Sequence, residues 1–162
     1  MLIGILSDSH GRYLAVRQAM ALFDRLAVEH VIHCGDVGGT PVFDELVGRP
    51  LSFVWGNTDT PDNGVFAYLE SVGLSLPETI PLRVTLDDKS FAVFHGHENG
   101  FYNAPRALDV DFILHGHTHF ARDESFNGKR IINPGALHRA RTKTVATLDP
   151  STGQLTLHEI NT

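Results

Sequence analysis

The 162 residues include one cysteine, Cys34, so no internal disulfide can form and nothing in the chain calls for an oxidising compartment. Long apolar runs are missing too. The stretch Met1 to Leu6 is cut by Ser7 and Asp8, too short for a signal-peptide core or a membrane span, and no other run approaches about eighteen residues. The expected compartment is therefore the cytoplasm, with no membrane partner. Positive charge is scarce as well: 13 Lys+Arg face 19 Asp+Glu, a formal net charge of -6. A long nucleic acid would be repelled, and any phosphate binding must be local. With 42% hydrophobic and 20% charged residues the composition fits neither a disordered nor a low-complexity chain. No linker, charge block or repeat divides it, so one domain over residues 1–162 is expected, long enough to bury about 70% of the surface its unfolded form exposes.

What the chain has in excess is histidine, ten in all. Their setting follows from the hydrophobic pattern. Leu2 to Leu6 reads as a buried strand, and Val16, Ala19, Met20, Phe23, Leu26 and Ala27 then recur at helical spacing. The unit repeats with a strand at Val31–Ile32 and a helix opened by Thr40-Pro41 and closed near Gly48, then with a strand over Leu51 to Trp55 and a helix marked by Phe66, Leu69 and Val72. After residue 80 hairpin signals take over. Asp87-Asp88 sits between Arg83–Leu86 and Ser90–Phe94, and a single strand follows at Phe112–Leu114. Asn127-Gly128 then joins Phe120–Phe126 to Arg130–Ile132, and Ser151-Thr152-Gly153 joins Thr144–Leu148 to Leu155–Ile160. The expected class is α/β, with a strand-helix half packed on a hairpin-rich half as two facing mixed sheets flanked by helices. Phe23, Phe43, Phe53 and Phe66 are expected in the core.

Five polar clusters fall where strands run out: Asp8/His10, Asp36, Asn57/Asp59, His95/His97 and His115/His117/His119. Strand carboxyl ends in α/β sheets converge on one crevice, so clusters distant in sequence can share a pocket. Mixed oxygen and imidazole donors suit Mn²⁺, Fe²⁺ or Zn²⁺. So many donors exceed the needs of one ion. Two ions sharing a carboxylate would use them, at the spacing of about 3.5–4 Å that serves phosphate-ester cleavage. The alternation of His117-Thr118-His119 would put both imidazoles on one side of an extended segment.

The ordered set Asp8-Ser9-His10, Gly35-Asp36, Gly56-Asn57-x-Asp59, His95-Gly96-His97 and Gly116-His117-Thr118-His119 resembles the calcineurin-like metallophosphoesterase superfamily. The length and the late Asn133-Pro134-Gly135 look like its small single-domain phosphodiesterase branch, which also includes a retromer scaffold subunit. The resemblance implies a four-layer α/β/β/α sandwich carrying two divalent metal ions, Mn²⁺ first, with Zn²⁺, Fe²⁺ or Ni²⁺ as alternatives. It implies Asp8, His10, Asp36 and His119 for one ion and Asp36, Asn57, His95 and His117 for the other. Asp36 is then the bridge, with Asp59 behind it holding the neighbouring loop by hydrogen bonds. Such a pair would lower the pKa of a bridging water toward ~7 and position the hydroxide for in-line attack on a phosphoryl group. Two divalent ions against two carboxylates leave a net positive centre in an acidic protein, which favours small phosphate esters as substrates. A non-catalytic scaffold and a phosphomonoesterase are the alternatives, and self-association is left open.

One position departs from the family pattern. Many members have a histidine after the motif asparagine to protonate the leaving oxygen, and this chain has Thr58. A hydroxyl is too weak an acid for that, so esters with good leaving groups should be preferred by about 10²–10⁴. His97 is the expected substitute proton donor, and Arg12 the residue expected, with Asn57, to hold the substrate phosphate. His115 is expected to pack within the sheet, Cys34 to be a buried inert thiol, and His30, His33, His138 and His158 to be surface or satisfied core histidines.

Overall fold

Strand β1 (Ile3–Leu6) is buried along its whole length, and its alternation shows how the layers arise, because successive side chains point to opposite faces of a sheet. Ile3 and Ile5 enter a core with Ile32, Ala146 and Leu148 of the same sheet and Phe91, Val93, Phe112, Leu114 and Ile132 of the other. Leu6 turns the opposite way, into a cluster with Val16, Phe23, Phe43, Leu46 and Leu69. Gly4 shares that second face, and a Cβ there would come within 2.5–2.9 Å of the Phe23 ring. A bare backbone is what lets that ring lie flat against the strand.

The computed structural model describes residues 1–161. After β1 come α1 (Tyr13–Arg25), β2 (His30–His33), α2 (Thr40–Leu46), β3 (Leu51–Phe53), α3 (Asn63–Ser71) and the hairpin β4 (Leu82–Leu86) and β5 (Lys89–Val93). A 3₁₀ turn (Phe101–Asn103) leads into α4 (Ala104–Ala107), and β6 (Phe112–Leu114), β7 (Arg122–Phe126), β8 (Lys129–Asn133), β9 (Thr144–Asp149) and β10 (Gln154–Glu159) follow. The strands form two five-stranded mixed sheets, ordered β10-β9-β1-β2-β3 and β4-β5-β6-β8-β7. Helices α1, α2 and α3 cover the outer face of the first sheet. Phe101 and Ala104 pack with Ala92, Ile113 and Ile131 on the outer face of the second. This is the four-layer sandwich expected.

Several expectations need correcting. The final hairpin does not belong to the hairpin-rich half, because β9 pairs antiparallel with β1, Ile3 facing Leu148. The turn and helix over residues 101–107 carry too few apolar repeats to show as periodicity. Phe66 is 36% exposed, so it is not core. Phe120 lies before β7 with 78% of its surface exposed. By contrast α1 buries Ala15, Val16, Ala19, Met20 and Phe23, the stripe its spacing announced, and α3 is capped by Asp62, which accepts from the Val65 N–H at 3.0 Å.

Two core histidines make stability depend on pH. Ser9 Oγ donates to the Val37 carbonyl at 2.9 Å, so the Ser9 oxygen accepts from His33 Nε2 at 2.8 Å. His33 Nδ1 in turn accepts from the Gly35 N–H at 3.2 Å. The neutral ring is satisfied at both ends, and burial pushes its pKa down to about 3, with His95 adding to the effect. Burial likewise pushes His115 down to about 4. Both folded values lie below the unfolded value of ~6.5, so the unfolded chain takes up these protons first. Their contribution is complete above about pH 6.5 and is lost as pH falls toward 4, at up to ~1 kcal/mol per pH unit for each ring. Urea titrations at pH 7, 6 and 5 should show this decline, and a flat profile would contradict it.

Candidate metal centre

All seven candidate donors follow the carboxyl ends of strands: Asp8 and His10 after β1, Asp36 after β2, Asn57 after β3, His95 after β5, and His117 and His119 after β6. The parallel pairs β1–β2, β2–β3 and β5–β6 bring those ends to one edge of the sandwich. Five of the donors have left-handed backbones, Asp8 (φ 53°), His10 (44°), Asp36 (53°), His117 (68°) and His119 (61°). Such conformations cost about 1–3 kcal/mol each outside glycine and persist where the surrounding structure enforces them. They correct the route by which His117 and His119 meet: the segment is not extended, and left-handed turns, not strand alternation, aim the two rings. Glycine is required for close approach at two points. A Cβ on Gly56 would fall on the Asp36 carboxylate, and one on Gly116 on Ser7 Oγ and 2.6 Å from Asp8 Oδ2.

The donor atoms face one another. His119 Nε2 lies 3.1 Å from Asp8 Oδ1, and His10 Nε2 lies 3.9 Å from that oxygen and 3.4 Å from Asp36 Oδ2. On the other side His95 Nε2 is 3.4 Å from Asp36 Oδ2 and 3.0 Å from Asn57 Oδ1, which is also 3.0 Å from His117 Nδ1. Asp8, His10 and His119 form one group with metal-ligating geometry and Asp8, Asp36 and His95 another. Both aspartates are thus central, and Asn57 links the second group to His117.

Charge and hydrogen bonding show what the cluster fits. Buried Asp8 Oδ1 and His10 Nε2 make no hydrogen bond, a costly arrangement unless something else is bound there. His95 Nδ1 is 2.8 Å from the Cys34 carbonyl, which only accepts, so Nδ1 holds the proton. In the neutral ring the Nε2 lone pair then faces the oxygens of Asp36 and Asn57. Three acceptors aimed at one point require a positive charge between them. A second proton, on Nε2, is one such charge: burial opposes charging of His95, but Asp36 and the Cys34 carbonyl outweigh it and raise the pKa. Burial opposes the charged form of Asp36 too, and hydrogen bonds from His95 and Thr58 outweigh it, holding the carboxyl well below its usual range. Mixed oxygen and nitrogen donors with orphaned atoms and converging lone pairs fit divalent cations.

Asp59 points away from this centre. Its carboxylate accepts from the N–H groups of Val37 (3.0 Å), Gly38 (2.9 Å) and Gly56 (2.9 Å), tying the Asp36 loop to the Asn57 loop. Asp59→Ala would leave these donors without their acceptor. We expect a loss of about 1–3 kcal/mol, read as a fall of several degrees in a thermal melt, together with weakened metal binding. Thr58 donates its N–H to Asp36 Oδ1 at 2.9 Å, and its hydroxyl sits 3.4 Å from His10 Nδ1. The His97 ring borders the cluster, 5.4 Å from that of His95 and 6.2 Å from that of His117. Arg12 donates through Nε to His138 Nδ1 at 3.3 Å, at the edge of a neighbouring cavity.

Three contributors escaped the sequence reading. Glu98 accepts from the N–H groups of His95 (2.8 Å) and Gly96 (2.7 Å), shaping that loop. Asn133 donates to the Gly116 carbonyl and Thr118 Oγ1, at 2.9 and 3.1 Å, fixing the loop that carries His117 and His119. His138, expected away from the site, has its ring 5.5 Å from that of His10. Burial, with Arg12 beside it, lowers its pKa. Of the other histidines, His30 pairs with Ser52 and His158 with Thr147. His115 is buried against Gly116 and Phe101, and Cys34 is buried, where desolvation raises the thiol pKa.

Donors of this kind at the strand ends of a two-sheet sandwich fit a metal-dependent hydrolase centre. The profile of the calcineurin-like phosphoesterase superfamily domain matches residues 1–153, and the chain belongs to that superfamily. It is 30% identical over 138 residues to phosphodiesterase MJ0936 of Methanocaldococcus jannaschii, covering 83% of each chain. To the probable metallophosphoesterase YsnB of Bacillus subtilis it is 32% identical over 151 residues, covering 86% of this chain and 76% of that one. Among solved structures, a novel archaeal phosphodiesterase superposes with a TM-score of 0.88 at 27% identity, over 99% of this chain and 100% of that one. Vps29 of Entamoeba histolytica, solved with zinc, shares the fold at a TM-score of 0.65 and 21% identity, over 98% and 91% of the two chains. The protein is a metal-dependent phosphoesterase. Among the described residues no helix is long and apolar enough to cross a membrane.

Proposed function

We propose that the protein is a cytoplasmic phosphodiesterase that uses two divalent ions, Mn²⁺ first among them, to hydrolyse small diesters with good leaving groups. The observation that carries this reading is the convergence of two carboxylates, four imidazoles and one amide, with Asp8 Oδ1 and His10 Nε2 left without hydrogen bonds. Asp8, His10, Asp36 and His119 would hold one ion, and Asp36, Asn57, His95 and His117 the other. When bound, such ions supply a water ionised near neutral pH and neutralise charge on the phosphoryl oxygens. The chain's own residues do the rest. His95, its proton held on Nδ1 by the Cys34 carbonyl, offers Nε2 in a fixed direction. Asp59 and Glu98 hold the loops rigid by accepting N–H groups, so little reorganisation is needed as charge develops. Arg12 and Asn57 orient the phosphate.

The leaving oxygen needs a proton unless it departs as a stable anion. Thr58 does not serve, because its hydroxyl is turned to His10 Nδ1, and His97 at the edge of the cluster is the remaining donor on the His95 side. The test is a comparison of bis-p-nitrophenyl phosphate, p-nitrophenyl phosphate and methyl p-nitrophenyl phosphate with a dialkyl phosphate. Aryl diesters should exceed dialkyl esters by about 10²–10⁴ beyond solution reactivity, and His97→Ala should slow the poorest leaving groups most. A monoester preferred over its diester would defeat the diesterase assignment, and uniform rates after His97→Ala would remove the role of His97.

A further inference from the structure

We propose that the cavity beside His117 and His119 binds an additional anionic group and an aromatic ring of the substrate, so that the preferred diester is a nucleotide carrying an extra phosphate. The inference rests on the phosphodiesterase reading and extends it to substrate class.

The cavity has a volume of about 600 Å³ and opens directly onto two of the candidate ligands, His117 and His119. Its opposite wall is the segment that carries Arg139 and Arg141, and no carboxylate lines it. That charge is unusual for this molecule, whose formal net charge is -6. Five other cations are matched by acids: Arg17 with Glu45, Arg49 with Asp24, Lys89 with Asp111, Arg122 with Glu124 and Arg130 with Asp123. Among the described residues Arg139 and Arg141 have no hydrogen bond or ion pair, and both are exposed. Two unmatched guanidinium groups beside a cluster suited to a phosphoryl group provide for a second anion on the same molecule, since the fork of an arginine matches phosphate oxygens. Phe120 lines the same cavity and keeps 78% of its surface exposed. An aromatic face left in water next to a phosphate site offers a platform for a planar ring, and every nucleobase has one. The acidic remainder of the surface disfavours a polymer, so the ligand is a small nucleotide with more than one phosphate.

The probes are thymidine 3′,5′-bisphosphate and thymidine 5′-monophosphate, which share the ring and one phosphate. Each is titrated by calorimetry into metal-loaded protein freed of excess metal. The parent should bind the bisphosphate about 10–30-fold more tightly. In the double variant Arg139→Asn with Arg141→Gln the gap should shrink to about threefold or less. Asparagine tolerates the left-handed backbone at residue 139 (φ 52°), so the turn is kept. Arg141→Gln alone should remove about half of the gap on a logarithmic scale, and it serves if the double variant does not fold. Phe120→Ala should weaken both ligands alike. Equal affinities in the parent, or a gap untouched by the arginine variants, would overturn the proposal. Hydrolysis of bis-p-nitrophenyl phosphate by the same preparation decides the underlying reading separately: an intact gap without hydrolysis would sink the phosphodiesterase assignment and leave the subsite standing.

Discussion

Chelation with EDTA should reduce hydrolysis of bis-p-nitrophenyl phosphate to the uncatalysed background, and Mn²⁺ added to the desalted protein should restore it. The same treatment should move the melting temperature, because in the ion-free state Asp8, Asp36 and His95 offer ligand atoms within 4.8 Å of one another with no cation to offset the crowding of lone pairs. Ligands that bind only the folded state stabilise it by mass action, by about 3 kcal/mol at a hundredfold excess over the dissociation constant. For a chain of this length that corresponds to a rise of about 5–12 °C. The two readouts are independent. A thermal shift without recovered hydrolysis would indicate a metal-holding protein of the same fold that does not turn over diesters. Absence of both would mean that the orphaned atoms of Asp8 and His10 are not satisfied by metal at all.

The parts of this site legible in the sequence share one property: each donor follows a short apolar run within a few residues and has glycine close by, as in Gly35-Asp36 or Gly116-His117. Strand, sharp turn and ligand are local facts, and local facts survive in one dimension. The layer order was legible for the same reason, since α1 announces its buried stripe through Val16, Ala19, Met20 and Phe23. What escaped depends on contacts between distant segments. Nothing near Thr144–Asp149 says that this strand returns to pair with β1 across the length of the chain. His138 reads as one more polar residue until Arg12 and His10 are brought beside it. Glu98 was missed although its contacts are local, because a carboxylate that accepts two N–H groups looks like any solvated charge. The route proposed for His117 and His119 failed on conformation: a period of two assumes an extended backbone, and both residues are left-handed.

Asp36→Asn should be the most damaging single change that preserves shape. Its Oδ1 accepts the Thr58 N–H at 2.9 Å, while Oδ2 lies 3.4 Å from both His10 Nε2 and His95 Nε2, so this oxygen reaches toward both halves of the cluster. An asparagine can keep the bond to Thr58 only by turning its NH₂ toward the two imidazoles, where a hydrogen-bond donor excludes a cation. We expect metal content to fall and hydrolysis to drop by at least about 10³, equivalent to ~4 kcal/mol of transition-state stabilisation. Folding should respond much less in the absence of metal. The amide keeps the Thr58 bond through its oxygen and offers its NH₂ to the imidazole nitrogens of His10 and His95, so the metal-free variant should melt close to the metal-free parent and should gain little when Mn²⁺ is added. That pairing separates loss of the site from loss of the fold. If the variant instead melted well below the metal-free parent, Asp36 would be chiefly a structural residue. If it retained two ions and most of its rate, the shared-carboxylate arrangement would have to be abandoned.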